Sequence, residues 1–207
     1  MPTFKHLSTG KRFLSIHIPR TAGRFIGENL GRNDCQCEHG EGKDLWVRKN
    51  DVELSHYHRE YYEKYLDVED IPHFAVVRNP IDRFISCSIF LSELYGDNLE
   101  ELLEDPMMFS SMLQNYPSTE SVNWFRPQLD FISEKTHIWK FEDKFGDDFA
   151  QWLSDIVGVD IKIRQDMPVE KLPTDESKKV KRSAKLIDNV KSLYSKDIGK
   201  LYPELDS

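Results

Sequence analysis

The chain has no long apolar run and few cysteines, and these two absences exclude whole classes of protein. None of its apolar stretches approaches the ~18 residues that a membrane-spanning helix needs, so no membrane span is predicted. Its first residues, MPTFKHLSTGKR, lack the apolar core of a secretory signal. Three cysteines, an odd and small number, suit a reducing compartment. We therefore expect a cytoplasmic protein.

The chain also has no excess of basic residues and no clear set of metal ligands. At a net charge of −8 its surface as a whole does not suit nucleic acid, so no nucleic-acid partner is predicted. Cys35, Cys37 and His39 form the pattern C-x-C-x-H, but a zinc finger needs a second pair of ligands. We interpret Gly31–Asp44 as a polar surface loop with free thiols, and we predict no metal site.

What the chain does have is a strand, a tight turn and a helix in direct succession near its start. Apolar residues between Phe13 and Ile18 predict a short buried strand, which Pro19 ends because proline has no N–H to donate. Small residues follow, and a helix is predicted over Arg24–Leu30. The first N–H groups of such a helix are unpaired and form a site for a phosphate-like anion, to which Arg20 adds a cationic fork. The turn lacks the GxxxxGK[ST] pattern of enzymes that hydrolyse ATP or GTP.

A second strand-to-helix unit lies further along the chain. The apolar run His73–Val77 predicts a buried strand, and Pro80 lies where the first turn of a helix tolerates proline. Arg78 follows the strand, and Ser86 comes eight residues later. Together they offer a guanidinium fork and a hydroxyl to a second anionic group. Two such sites suggest a ligand that is phosphorylated at two separated positions.

The remaining pattern extends this alternation of strands and helices. We predict further elements over Leu45–Ser55 (one or two short strands), Arg59–Leu66 (helix), Thr136–Phe141 (strand), Phe145–Val157 (helix) and from Asp175 onward (a final helix). Such alternation predicts a single α/β domain over residues 1–207, with a mainly parallel central β-sheet flanked by helices on both faces. Ligands bind beyond the carboxyl ends of parallel strands, so we expect both arginine turns at that edge.

At this point the chain resembles a known family. HIPRTAGRF is similar to the 5′-phosphosulfate loop of sulfotransferases that use 3′-phosphoadenosine 5′-phosphosulfate (PAPS), which is written HIPKTGGTS or YPKSGTTW, and VVRNPIDRFIS is similar to their 3′-phosphate motif. WKFED and LYSKDIGKLYPEL resemble the second half of the carbohydrate and bacterial branch. The resemblance runs from about Phe13 to Leu205. It implies a P-loop-like sulfotransferase fold that uses PAPS as co-substrate, releases 3′,5′-adenosine bisphosphate (PAP) and needs no metal.

The resemblance also implies roles for particular residues. Arg20 stands where the family has the lysine at the phosphosulfate bridge, so it is a candidate for both cofactor binding and catalysis. The residues in the positions that hold the 5′ end of the nucleotide are Thr21, Ala22, Gly23, Arg24 and Phe25. Phe25 matches an aromatic residue that lies against the adenine, and Arg78 and Ser86 match the 3′-phosphate pair. Lys179 and Arg182 either close over the nucleotide or belong to a solvated charged face.

A catalytic base is implied before the second motif, where family members carry a histidine. We slightly favour His56 over His58, with Glu53 as the fallback; His17 lies inside the first strand and is expected to pack or to orient the loop. Arg20 departs from the family pattern, because arginine is never deprotonated in proteins and so cannot act as a general acid. It can only neutralise the leaving group electrostatically.

The expected activity is transfer of a sulfuryl group from PAPS to a hydroxyl or amine, by in-line attack with a histidine base. The acceptor is expected to be a small molecule or a carbohydrate, and the aromatic pair Trp124 and Phe125 either lines its pocket or packs in the core. Two alternatives stay open, namely a non-catalytic module that binds PAP or another nucleotide, and a P-loop-like kinase of small molecules. The sequence does not indicate an oligomeric state.

Overall fold

A five-stranded sheet forms the centre of the chain in the computed structural model, which describes residues 3–38, 48–49, 52–53, 56–95, 98–106, 123–164, 180 and 182–206. The strands are β1 (Thr3–His6), β2 (Arg12–Ile16), β3 (Cys35–Cys37), β4 (Arg48–Lys49), β5 (Val52–Glu53), β6 (His73–Val77) and β7 (Thr136–Lys140). The helices are α1 (Gly23–Arg32), α2 (Arg59–Tyr65), α3 (Pro80–Tyr95), α4 (Leu99–Glu104), α5 (Asp147–Val157), α6 (Ala184–Leu193) and α7 (Ser195–Leu201). Short 3₁₀ turns cover Gln128–Asp130, Phe141–Asp143 and Pro203–Leu205.

The sheet is mixed rather than mainly parallel, which corrects the prediction. Its strand order is β3-β1-β2-β6-β7. β2, β6 and β7 are parallel, with Ile16 opposite Ala75 and Val77 opposite Lys140. β1 is antiparallel to both β2 and β3. The physical reason is the short turn between β1 and β2, where Gly10 takes a φ of 72° that glycine adopts at no steric cost.

The three strands of the parallel part begin and end within two residues of their predicted bounds. The predicted surface loop over Gly31–Asp44 is wrong in its first part, because α1 continues to Arg32 and Cys35–Cys37 forms the edge strand β3. Cys35 is only 4% exposed and belongs to the apolar core. Its burial, and not its local sequence, makes this polar segment a strand.

The predicted final helix is two helices, α6 and α7, which meet at Tyr194. The start proposed at Asp175 lies outside the described residues. Between Leu45 and Ser55 the structure has the short antiparallel pair β4 and β5. All three cysteines are free thiols.

Apolar side chains cover both faces of the sheet, which builds a single α/β domain. Alternate residues of β2 point to opposite faces, so that Phe13 and Leu14 belong to different clusters. The cluster on the first face joins Phe13 to α1 and α5, and the cluster on the second face joins Leu14 to residues of α2 and to Tyr202. In the described part of the chain, no helix combines the length and apolar character that a membrane crossing requires.

Candidate functional site

The two arginine turns meet at the carboxyl ends of β2 and β6. Arg20 follows β2 and Arg78 follows β6, and these two strands are direct neighbours. Nη1 of Arg78 donates a hydrogen bond to the carbonyl oxygen of Arg20 over 3.2 Å. Nε of Arg20 donates to Oγ of Ser86 on α3 over 3.1 Å. Three residues that the sequence analysis assigned to one ligand therefore lie side by side, and we call them the arginine cluster (Arg20, Arg78 and Ser86).

The turn between β2 and α1 has a backbone conformation suited to an anion. Arg20 and Ala22 have φ values of 65° and 70°, in the left-handed region, which costs about 1–2 kcal/mol for each non-glycine residue. The hydroxyl of Thr21 donates to the carbonyl oxygen of Ile18 over 2.8 Å and stabilises the turn. α1 has no side-chain cap and no acidic residue in its first turn. Its first N–H groups and the positive end of its dipole are therefore not neutralised by the helix itself.

Aromatic rings support both guanidinium groups. The Cζ atom of Arg20 lies 4.8 Å from the ring centre of Phe90, and that of Arg78 lies 4.6 Å from the ring centre of Phe141. Arg78 is buried, and this burial lowers the pKa of its guanidinium. A guanidinium removed from water is stabilised by an anion more strongly than an exposed one, because the local dielectric constant is lower.

The backbone of Arg78 is fixed by residues that the sequence analysis did not assign to the site. Oε1 of Gln128 accepts the N–H of Arg78 over 2.9 Å, and Nε2 of Gln128 donates to the carbonyl of Arg78 over 2.8 Å. The buried carboxylate of Asp197 in turn accepts the N–H groups of Gln128 and Leu129 over 2.7 and 3.0 Å. Asp197 of α7 therefore helps to hold the backbone of Arg78 just after β6, through residues far apart in sequence.

His17 lies against the turn. A Cβ atom built on Gly23 would overlap the imidazole ring of His17, so any larger residue at the start of α1 would require this ring to shift. Burial, and then the neighbouring His56, lower the pKa of His17 well below its ordinary value. The ring is therefore neutral at pH 7. The expectation that His17 lies inside the strand is wrong, because β2 ends at Ile16, and the ring packs against the first residue of α1.

This contact predicts that Gly23→Ala lowers the free energy of unfolding by about 1–3 kcal/mol, the usual cost of overpacking. The double variant His17→Ala/Gly23→Ala should recover part of that loss, because the ring that collides with the new methyl group is gone. Gly27→Ala in the same helix is the control: apart from its chain neighbours and the nearby helix backbone, no described atom lies within 4 Å of its added Cβ, and it should be stabilising by about 0.5–1 kcal/mol. Denaturant unfolding measures all three, and equal effects at positions 23 and 27 would contradict the contact.

His56 is connected to the arginine cluster by a series of ring contacts. Its imidazole lies 4.9 Å from the ring of His17 and 5.1 Å from the ring of Trp124. Trp124 stacks on Phe90 at 4.6 Å and 10°, and Phe90 is the ring beneath Arg20. His56 is 2% exposed, so its position is determined by packing.

His58 lies in a different environment, just before α2. Its ring packs on Tyr61 at 4.4 Å, and its Nε2 lies 3.9 Å from Oε2 of Glu60. Burial, with a smaller contribution from Arg126, lowers the pKa of His58 to about 4. His58 is therefore a weaker base than an ordinary histidine. Glu53 belongs to β5, and its side chain lies outside the described residues.

The other predicted nucleotide-binding residues are distributed as follows. Arg24 is exposed on the first turn of α1, whereas Phe25 is buried and packs 5.3 Å from the ring of Phe145 in the core. An adenine contact of Phe25 stays a prediction. Nη2 of Arg182 lies 2.6 Å from Oδ1 of Asp82 in the first turn of α3. Lys179 lies outside the described residues.

The site also contains a residue that the sequence analysis missed, Arg83 of α3. It is 0% exposed and donates to the carbonyl oxygens of Pro19 and Trp124 over 3.1 and 2.8 Å. Its sequence position gave no signal, because a charged residue in an amphipathic helix is expected on the solvated face.

Comparisons of the chain with protein-family models, curated proteins and solved structures found no match. Within the described ranges, no three or more His, Cys, Asp or Glu side chains are grouped so that they could hold a metal ion. In the described part of the chain, guanidinium groups and backbone N–H groups can bind an anion next to a buried histidine.

Proposed function

We propose that the protein is a sulfotransferase that moves a sulfuryl group from PAPS to a hydroxyl or amine of an acceptor. The observation that carries this proposal is the arginine cluster, in which Arg20 contacts both Arg78 and Ser86 beyond the ends of two adjacent parallel strands. A nucleotide with phosphate groups at both its 5′ and 3′ positions has the two anionic ends that such a cluster can bind together. The strand, turn and helix around Arg20 are also what a P-loop-like sulfotransferase fold requires.

In this proposal the two ends of the nucleotide occupy the two sides of the cluster. The phosphosulfate binds the N–H groups at the start of α1 and the guanidinium of Arg20. The 3′-phosphate binds Arg78 and the hydroxyl of Ser86. That hydroxyl now accepts a hydrogen bond from Arg20, so binding exchanges this contact for contacts with phosphate oxygens.

Sulfuryl transfer then needs alignment, charge stabilisation and removal of one proton. The oxygen or nitrogen of the acceptor attacks the sulfur, and the bond between sulfur and the bridging oxygen of the 5′-phosphate breaks. The negative charge that develops on this oxygen is stabilised by Arg20 and the loop N–H groups, with no proton donated by Arg20. The proton of the acceptor passes to His56, whose ring is connected to the loop through His17.

His56 is preferred as the base for two reasons. Its ring contacts both His17 and Trp124, which lie next to the donor loop and beneath Arg20 respectively. His58 has a pKa of about 4, which gives it little affinity for the proton of a hydroxyl group. Glu53 is retained as the fallback.

The acceptor is proposed to be a small molecule or a carbohydrate. Phe125 is fully buried and packs 5.2 Å from Phe84, whereas Trp124 keeps 9% of its surface exposed, so this proposal takes Trp124 and not Phe125 as the residue that lines the acceptor pocket. Its ring is stacked on Phe90 and lies next to His56, so a sugar or an apolar ring of the acceptor would contact only the small part that stays exposed. A cytoplasmic location and the absence of a nucleic-acid partner stay predictions of the same account.

A transfer assay tests this function. The protein is incubated with PAPS that carries radiolabelled sulfate and with a panel of phenols, sugars and peptides. We expect labelled product together with an equal amount of PAP. PAP binding without any transfer would identify a non-catalytic nucleotide-binding module, and phosphoryl transfer from ATP to the same panel would identify a kinase; either result overturns the proposal.

A further inference from the structure

Arg83 connects two segments of the site that are distant in sequence. Its Nε donates to the carbonyl oxygen of Pro19, three residues after the end of β2, over 3.1 Å. Its Nη2 donates to the carbonyl oxygen of Trp124 over 2.8 Å. One rigid, planar guanidinium group therefore fixes the distance between the donor loop and the segment that carries Trp124.

Arg83 also helps to determine the direction of the loop N–H groups. It holds the carbonyl of Pro19, while Arg78 holds the carbonyl of the next residue, Arg20, over 3.2 Å. No described peptide bond is cis, and in a trans peptide the C=O and the following N–H point in opposite directions. The two guanidinium groups thus direct the N–H groups of Arg20 and Thr21 away from themselves. Two consecutive peptide planes are fixed in this way, at the residue with a left-handed φ.

The Trp124 segment in turn positions the proposed base. The side chain of Asn123 donates through Nδ2 to the carbonyl oxygen of His56 over 2.7 Å, and the ring of Trp124 packs against the ring of His56. The path from the donor loop to the base therefore consists of Pro19, Arg83, the segment of Asn123 and Trp124, and His56. Each step is a described hydrogen bond or ring contact.

The charge of Arg83 is buried without a close counter-ion. Among the described residues no carboxylate lies within 4 Å of its guanidinium nitrogens, and its Nη1 has no hydrogen-bond partner there. Asp197 and Asp130 interact with it only by Coulomb attraction over longer distances, and both carboxylate oxygens of Asp197 already accept backbone N–H groups. The positive potential of Arg83 at the neighbouring arginine cluster is therefore only partly compensated.

From these observations we propose that Arg83 is a positioning residue. It holds the donor loop and the base-carrying segment in one geometry, and its buried charge strengthens anion binding at the arginine cluster without touching the ligand. The inference rests on the proposed function, because it assigns the two segments to donor and base. A misplacement of about 1 Å between reacting groups can cost about 100-fold in rate, so the consequence for turnover is large.

The test compares Arg83→Lys and Arg83→Met with the wild-type protein. Lysine keeps the charge but replaces the planar fork by a single ammonium group, and methionine removes both charge and donors. We expect kcat to fall about 100-fold in both variants, measured at a temperature where each is folded by circular dichroism. The Kd of PAP should stay within about threefold for Arg83→Lys and rise about tenfold for Arg83→Met.

Val157→Ala, at the buried last residue of α5, is the control for lost stability. It should lower the melting temperature and leave kcat and the Kd of PAP unchanged. If Arg83→Met lowers activity only in proportion to its unfolded fraction, as any destabilised variant would, the positioning role is wrong while the sulfotransferase function stands.

A measurement that does not depend on enzyme activity tests the positioning role of Arg83 separately from the proposed sulfotransferase function. Amide hydrogen exchange should increase together in residues 20–23 and 123–126 of Arg83→Met, and stay unchanged there in Val157→Ala. Unchanged exchange in either segment of Arg83→Met would overturn the inference, whether or not the wild-type protein transfers sulfate.

Discussion

Replacement of His56 by alanine is expected to lower the rate of sulfate transfer by about 10²–10⁴-fold, the usual contribution of a general base. The Kd of PAP should change by less than about threefold, because the arginine cluster holds the nucleotide without direct help from this imidazole. The physical reason is the position of the ring, buried between His17 and Trp124 next to the donor loop. Single-turnover transfer from PAPS measures the first quantity and calorimetry the second.

His58→Ala is the matched control for this variant. Both residues are buried and lie two positions apart, but burial lowers the pKa of His58 to about 4 and its ring packs on Tyr61. We expect a loss of less than about tenfold for His58→Ala. A large loss of turnover in His58→Ala together with near-normal turnover in His56→Ala would assign the role of base to His58. Near-normal turnover in both variants would leave Glu53 as the candidate base.

Replacement of Arg78 by alanine is expected to weaken PAP binding by about 10- to 150-fold, the range for a lost hydrogen bond to a charged group. The guanidinium is buried over Phe141, with its backbone fixed by Gln128, so no other side chain can readily take its place. Binding of adenosine 5′-phosphosulfate should fall far less, since it has no 3′-phosphate. Titration calorimetry with both nucleotides gives the two losses.

Two controls make this result specific. Arg12→Ala removes an arginine that begins β2, at the opposite end of the strand from the site, where it pairs with Glu38 over 2.8 Å; it should leave both affinities unchanged. Arg78→Lys should retain part of the PAP affinity, because it keeps a point charge but not the fork. Equal losses for the two nucleotides in Arg78→Ala would mean that Arg78 does not bind the 3′-phosphate.

The parts of the fold that could be predicted are those determined by residues close together in the sequence. His73–Val77 is a strand because five consecutive residues are buried between two layers, and such a run is visible in the sequence. The turn after Ile18 follows from a proline and small residues. The proximity of Arg20 and Arg78 could be expected as well, because neighbouring parallel strands end at one edge.

The parts that could not be predicted depend on distant contacts. β3 forms because Cys35 is buried in the core and the segment pairs with β1. The local sequence Cys-Gln-Cys does not indicate a strand. Arg83 has the ordinary sequence position of a charged helix residue, yet its partners Pro19 and Trp124 lie 64 and 41 residues away. Asp197 acts through Gln128 in the same manner, at a separation of 69 residues. A hydrogen bond from a side chain to the backbone of a distant segment produces no periodic pattern in the sequence, so it cannot be predicted from the sequence alone.

The central claim is that two anion-binding turns hold the two ends of one doubly phosphorylated nucleotide. Calorimetric titration of the wild-type protein with PAP, adenosine 5′-monophosphate and ATP under identical salt conditions tests it most directly. The account predicts one site at which PAP binds at least about tenfold more tightly than either competitor, since only PAP presents a 3′-phosphate to Arg78 and a 5′-phosphate to Arg20. Tighter binding of ATP, or equal binding of PAP and adenosine 5′-monophosphate, would contradict it.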